Sequence, residues 1–234
     1  MPALRSLQHF ELRAAGPSTI PLLNNTLRAS PPLETISFSA GVRPSQLELV
    51  QHDGLRSLSF HNQYHFTSEQ EARNPPELSM IAGAFPKLRE LTITFGCVVY
   101  PCSFRFSCHW HTLWTLANRL HDLQHLSLSL HVPISSVSET PKGTGALQSL
   151  TYLELPVLYI TPVDIDAFIK NLAMLCPNLL NIKVGILREL PGVVAKGMEF
   201  ALGDSPAFVE RFFTYKDAIR GSKVSYEDSH QEIH

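Results

Sequence analysis

The sequence predicts an α/β fold in which short strands and helices alternate along a linear stack. The first observation is a phrase that returns seven times: an apolar residue, two others, an apolar residue, one other, an apolar residue. The copies are Leu7-Phe10-Leu12, Leu33-Ile36-Phe38, Leu55-Leu58-Phe60, Leu88-Leu91-Ile93, Leu123-Leu126-Leu128, Leu150-Leu153-Leu155 and Leu179-Ile182-Val184. Their first anchors are 26, 22, 33, 35, 27 and 29 residues apart, a period that marks repeat architectures. The second observation is alternation: the last two anchors of each phrase are separated by a single polar residue, the period of a strand with one buried face. The third is helical spacing of apolar residues between phrases. The L-x-x-L-x-L core is the strand segment of a leucine-rich repeat. The predicted fold is therefore an irregular leucine-rich-repeat solenoid, a right-handed α/β superhelix of about seven repeats.

The cleanest strands are Glu90 to Phe95 and His125 to Leu130, and Thr, Ile and Phe suit a pleated, half-buried surface. The clearest helix is Thr161 to Cys176. Thr161 can act as N-cap, Pro162 takes the first helical position, and Asp164 completes a spacing like that of a capping box. Ile165, Phe168, Ile169, Leu172, Leu175 and Cys176 form one apolar stripe, and Pro177 stops the helix. The same order is expected for Ile20 to Leu27, Leu78 to Phe85 and Trp110 to Leu120, each just ahead of a phrase. His61 to Pro76 and Pro133 to Gly145 break the rhythm and read as loops.

Residues 1–190 are assigned to the solenoid and 191–221 to a C-terminal capping region. There Ser205 opens a helix and Gly221 closes it, with Phe208, Phe212 and Tyr215 on one side. Residues 222–234 are polar and are expected to form a disordered tail.

Composition narrows the class of function. The chain has 234 residues, 44% hydrophobic and 17% charged, which is ordinary for a folded protein. A net charge of -2 without runs of Lys or Arg predicts no nucleic-acid partner. No segment approaches the ~20 apolar residues needed to span a bilayer, and the first ten residues lack the apolar core of a secretory signal. Four cysteines are too few for a disulfide scaffold. An intracellular protein, of cytoplasm or nucleus, is expected, with no membrane partner and no cofactor.

The joins Leu-Cys-Pro-Asn-Leu-Leu-Asn-Ile-Lys-Val at 175–184 and Phe-Pro-Lys-Leu-Arg-Glu-Leu-Thr-Ile at 85–93 resemble the repeats of fungal F-box/leucine-rich-repeat proteins. The resemblance covers roughly residues 4–187 as a pattern. It implies repeats that capture a substrate for a cullin ubiquitin ligase, with an N-terminal F-box docking a Skp-type adaptor. This chain enters its first repeat at Leu4 with no F-box ahead of it, so the adaptor is expected only if an F-box lies outside this chain. It also departs from a common repeat pattern. Three residues after the last anchor, where Asn or Cys often satisfies the turn, stand Ala15, Gly41, Gln63, Gly96, His131, Leu158 and Leu187.

A stacked register turns the phrase into a candidate binding face. The residues between the last two anchors, Glu11, Ser37, Ser59, Thr92, Ser127, Glu154 and Lys183, should point out of the concave side, joined by Arg13, His125 and Tyr152 from flanking positions. Seven strands at ~4.8 Å make a sheet about 30 Å long, enough for a protein interface. Ser and Thr in its middle either just tolerate an exposed strand or line a shallow neutral groove. In the second case Tyr152 and Arg13 are its best anchors.

These features favour a non-catalytic protein-binding module, with a standalone scaffold unrelated to ubiquitin as the alternative. A third reading is a metal or enzyme site in Cys97 to His111, which holds Cys97, Cys102, Cys108, His109 and His111. Zinc sites prefer ligand pairs two to four residues apart, which the cysteine spacings of five and six do not supply. Catalytic motifs such as G-x-S-x-G, the P-loop and H-E-x-x-H are absent. No catalytic residue and no metal ligand is assigned.

Overall fold

A computed structural model describes residues 8–13, 21, 24–25, 33–38, 54–63, 77–96, 108–132, 145–160, 164–188 and 205–228. Each of the seven phrases supplies one strand: β1 (His9–Leu12), β2 (Thr35–Phe38), β3 (Ser57–Gln63), β4 (Glu90–Gly96), β6 (His125–Leu128), β8 (Tyr152–Tyr159) and β9 (Asn181–Arg188). Two short strands complete the sheet, β5 (Cys108–His109) and β7 (Leu130–His131). Every pairing is parallel, and the phrase strands lie side by side in chain order. Four helices are described: α1 (Glu77–Ala84), α2 (Thr112–Ala117), α3 (Ile165–Leu175) and α4 (Ser205–Asp228).

The register follows the phrase. Phe10, Ile36, Leu58, Leu91, Leu126, Leu153 and Ile182 are aligned strand to strand across the whole sheet. From Ile36 onward these anchors are buried, and they share one continuous core with the apolar faces of α1, α2 and α3. A one-residue slip would turn every anchor to the other face, so the core itself fixes the register.

Backbone bonding repeats with the same period. The residue after each first anchor offers its carbonyl to two N–H groups of the next unit. Gln8 receives Glu34 and Thr35, and Glu34 receives Arg56 and Ser57. The same rung recurs at Arg56, Arg89, Gln124 and Thr151, ending on Leu180 and Asn181. A turn precedes the first anchor in the last four units. The N–H groups of Leu88, Leu123, Leu150 and Leu179 donate to Phe85, Leu120, Leu147 and Cys176, at 3.2, 3.3, 3.2 and 3.2 Å. The residue that opens each turn is buried. Pro86 and Pro177 occupy the second turn position, which suits proline's fixed φ.

The missing Asn or Cys position has a simple origin: the strands run on where a turn was expected. Gln63 pairs with Gly96, His131 with Tyr159, and Leu158 with Leu187. Leu130 and Leu158 are buried and, with Cys108 of β5, form a further apolar column. A polar turn ladder has no place there. Ala15 and Gly41 lie outside the described residues. The same lengthening makes His61 to Gln63 part of β3 and not the start of a loop; residues 64–76 lie outside the described residues.

Strand β8 carries an irregularity with a readable cause. Ser127 to Leu130 spans three steps, whereas their partners Glu154 to Leu158 span four, so β8 holds one extra residue. Pro156 lies in that stretch. Proline donates no ladder bond and is tolerated in sheets at such bulges. The bulge separates β6 from β7 and lets Leu155 and Leu158 both point inward. On the other side of β8, a Cβ at Gly185 would lie 2.6 Å from the Pro156 carbonyl oxygen, so only glycine fits there.

The helices keep the expected apolar faces; α1 starts and ends one residue earlier than expected, α2 is confined to Thr112–Ala117, and α3 ends at Leu175. Leu78, Ile81, Ala82 and Phe85 are buried at α1, and Trp110, Leu113, Trp114, Ala117 and Leu120 at and around α2. In α3 the stripe Phe168, Ile169, Leu172, Leu175 and Cys176 is buried. Thr161 and Pro162 lie outside the described residues, as does most of 20–27, where Pro21, Asn24 and Asn25 are helical. Pro133 to Thr144 is also outside.

Helix α4 differs from expectation in two ways. It passes Gly221 and continues to Asp228. An interior glycine costs only ~1 kcal/mol relative to alanine, and no proline follows to stop the helix. Its inward face is Phe208, Phe212 and Lys216, at i, i+4 and i+8, while Tyr215 is exposed. The Lys216 ammonium is buried and donates to the Leu179 carbonyl, with the Phe213 ring 5.6 Å away. Phe208 approaches Phe168 of α3, and Arg211 pairs with Asp166 at 3.1 Å. The helix thus packs over α3 and β9, the last unit of the stack.

Candidate interaction face

The side of the sheet turned away from the helices carries the polar residues. Glu11, Ser37, Ser59, Thr92, Ser127, Glu154 and Lys183 form one uninterrupted row, each the register partner of the next. A parallel row runs beside it through His9, Thr35, Ser57, Glu90, His125, Tyr152 and Asn181. All ten residues singled out from the sequence lie on these rows or directly next to them.

The first row is knitted together by its own side chains. Ser59 donates to Ser37 at 2.8 Å. Ser127 donates to Glu154 at 3.2 Å, and Lys183 meets the other oxygen of Glu154 at 3.0 Å. That carboxylate raises the ammonium's affinity for its proton, first through the hydrogen bond and then through charge. In the second row His125 Nδ1 lies 3.4 Å from Glu90, and the His125 ring meets Tyr152 edge-on at 5.7 Å. His61 and Thr94 are joined at 2.8 Å. At the first strand Arg13 makes two bonds to Glu11, at 3.0 and 3.2 Å, which hold the Glu11 carboxyl below its usual range.

The face has three zones. Its middle, from Ser37 to Thr92, is a band of half-buried hydroxyls. The far end gathers Glu90, His125, Tyr152, Glu154 and Lys183, and the near end holds Glu11 and Arg13. Arg13 pairs with Glu11 and Lys183 with Glu154 on this face, so its two ends offer directed donors and acceptors. Ser127 is buried between its neighbours, so it supports Glu154 and is not available to a partner. Sequence reasoning gave the rows but not these links, because a polar residue's neighbour depends on the register between units that lie 22 to 35 residues apart.

Of the segment Cys97 to His111, residues 97–107 lie outside the described residues. Cys108 is buried in the core column, a packing role that needs no ligand chemistry. The His109 and His111 rings stack with centroids 4.6 Å apart, and the His111 backbone N–H donates to His109 Nδ1 at 3.2 Å. Burial, and then the neighbouring His111, push the His109 pKa down. Among the described residues no three His, Cys, Asp or Glu side chains converge as a metal site would require. Among them, too, no helix is long and apolar enough to cross a membrane. No protein-family model, curated protein or solved structure matches the chain.

Proposed function

We propose that the chain is a leucine-rich-repeat solenoid acting as a non-catalytic protein-binding module, with the open face of its parallel sheet as the docking surface. One observation carries this reading: seven strands in register present two continuous rows of polar side chains, while their alternate residues are spent on the core. A row of pre-bonded groups on a rigid sheet loses little entropy on binding, which favours recognition of another protein. Tyr152 and His125 at one end and Arg13 at the other supply the anchors.

The resemblance to fungal F-box/leucine-rich-repeat proteins supports a narrower form, in which the bound protein is the substrate of a cullin ubiquitin ligase. The same geometry serves a standalone scaffold equally well. A photocrosslinking amino acid at position 92 or 125, compared with one at the exposed Lys170 of α3, tests the docking face. Partners are expected to crosslink from 92 and 125 and not from 170; crosslinks confined to 170 would refute the choice of face. The gene sequence upstream of Met1 separates the two forms. An in-frame F-box, with a Skp-type adaptor co-purifying with its product, supports the ligase form, and a product that never binds the adaptor supports the scaffold.

A further inference from the structure

The two ends of the sheet are treated differently. At β9 the last unit is covered by α4, whose Lys216 caps a carbonyl of the final phrase. At β1 the outer edge has no strand partner among the described residues, and the anchors Phe10 and Leu12 are only half-buried, whereas their counterparts Ile36 and Phe38 are fully buried. An edge without a strand partner and with half-buried apolar anchors is a template for another strand.

We propose that this edge pairs with the same edge of a second copy of the chain, joining two sheets antiparallel about a two-fold axis at Leu12. The backbone fixes which groups are free. Gln8 directs its carbonyl to β2; residues of a strand alternate, so Phe10 and Leu12 also face β2 while His9, Glu11 and Arg13 direct N–H and C=O outward. A two-fold axis at Leu12 sets Glu11 opposite the second copy's Arg13 and Arg13 opposite its Glu11. Both are positions with outward-pointing backbone, so they form hydrogen-bonded pairs. The same axis brings the two half-buried Leu12 side chains together on the core face. The Glu11 and Arg13 side chains, which hold each other within one copy, are self-complementary across it, as an isologous interface requires. The alternative register about Glu11 would oppose two carboxylates. Because α4 covers the other end, pairing closes at two copies and builds no filament.

An interface of one short strand is small, so the dimer is weak and association is measured up to a concentration on the order of 100 µM. Sedimentation equilibrium of the full chain is expected to show a monomer–dimer equilibrium. Glu11→Arg and Arg13→Glu each turn two attractive cross-strand pairs into repulsive ones and should weaken association by about tenfold. An equimolar mixture of the two variants restores both pairs and should associate at least as tightly as the unaltered chain. Lys170→Glu, which changes net charge as Arg13→Glu does, should leave association unchanged. Melting temperatures matching the parent show that the variants are folded. A monomer at the highest concentration, single variants that dimerise like the parent, or a mixture no tighter than its components would each overturn the proposal.

Discussion

Truncating Leu126 to alanine tests the buried register at its most constrained point. Leu126 lies mid-sheet, aligned with Leu91 on one side and Leu153 on the other, and has no solvent exposure. Leu→Ala removes three carbons, a transfer loss of about 2.4 kcal/mol at ~0.8 kcal/mol per methylene. A cavity term adds to this, because Leu91 and Leu153 sit on strands held by their own ladders and cannot collapse into the gap. The expected total is about 3 to 4 kcal/mol, within the range for such truncations. At roughly 2–4 °C per kcal/mol for a chain of this size, the melting temperature should fall by about 6–16 °C. The comparison that isolates the argument is Phe10→Ala, at the same phrase position on the half-exposed edge. It removes a larger side chain but should cost only about 1–2 kcal/mol, because part of that ring already meets water. Urea denaturation of both variants measures the difference. A loss below ~1 kcal/mol for Leu126→Ala, or a larger loss for Phe10→Ala, would refute the assigned burial.

Three further outcomes are expected. Ser127→Asp replaces a buried hydroxyl that donates to Glu154 with a second carboxylate; it should cost about 1–3 kcal/mol at pH 7 and less at pH 4, whereas Asn181→Asp on the exposed row should stay within ~0.5 kcal/mol, both read by urea denaturation. Lys216→Met leaves the Leu179 carbonyl without its ammonium donor and should cost about 1–3 kcal/mol in the same assay; a more stable variant would count against the cap. His109 has a lowered pKa in the fold, so the unfolded chain binds its proton first as pH falls. That contribution to stability is present above about 6.5 and is lost as pH drops below it. His109→Gln should flatten the decline between pH 7 and 5 in denaturation midpoints, and an unchanged slope would remove His109 as its source.

Much of the architecture was legible because a strand in this chain writes its burial directly into the sequence. Leu58, Leu91 and Leu126 announce an inward face by period two, and Phe168, Ile169 and Leu172 announce a helix by period 3.6. The turn that opens each later unit was half legible: Pro86 and Pro177 mark it, but Leu120 and Leu147 open the same turn without proline. The extension of β8 and β9 was not legible, since Leu158 and Leu187 acquire meaning only as partners of one another. Helix α4 escaped its expected bounds for a related reason. Gly221 is a helix terminator only where the chain needs a left-handed residue, and nothing in the local sequence says whether it does.

The candidate face divides along the same line. From the sequence alone came the identity of the outward residues, because alternation is a local property of an extended backbone. The tertiary structure decided which of them touch. Glu154 is held between Ser127 and Lys183, and His125 between Glu90 and Tyr152, through contacts between units far apart in the chain. It also decided that Ser127 is buried, that a lysine of α4 caps the last unit, and that Glu11 and Arg13 flank an edge with no strand partner among the described residues. Periodicity fixes the direction of a side chain relative to its own strand. What it meets depends on register and on which end of the stack is covered, and both are settled only when the units pack together.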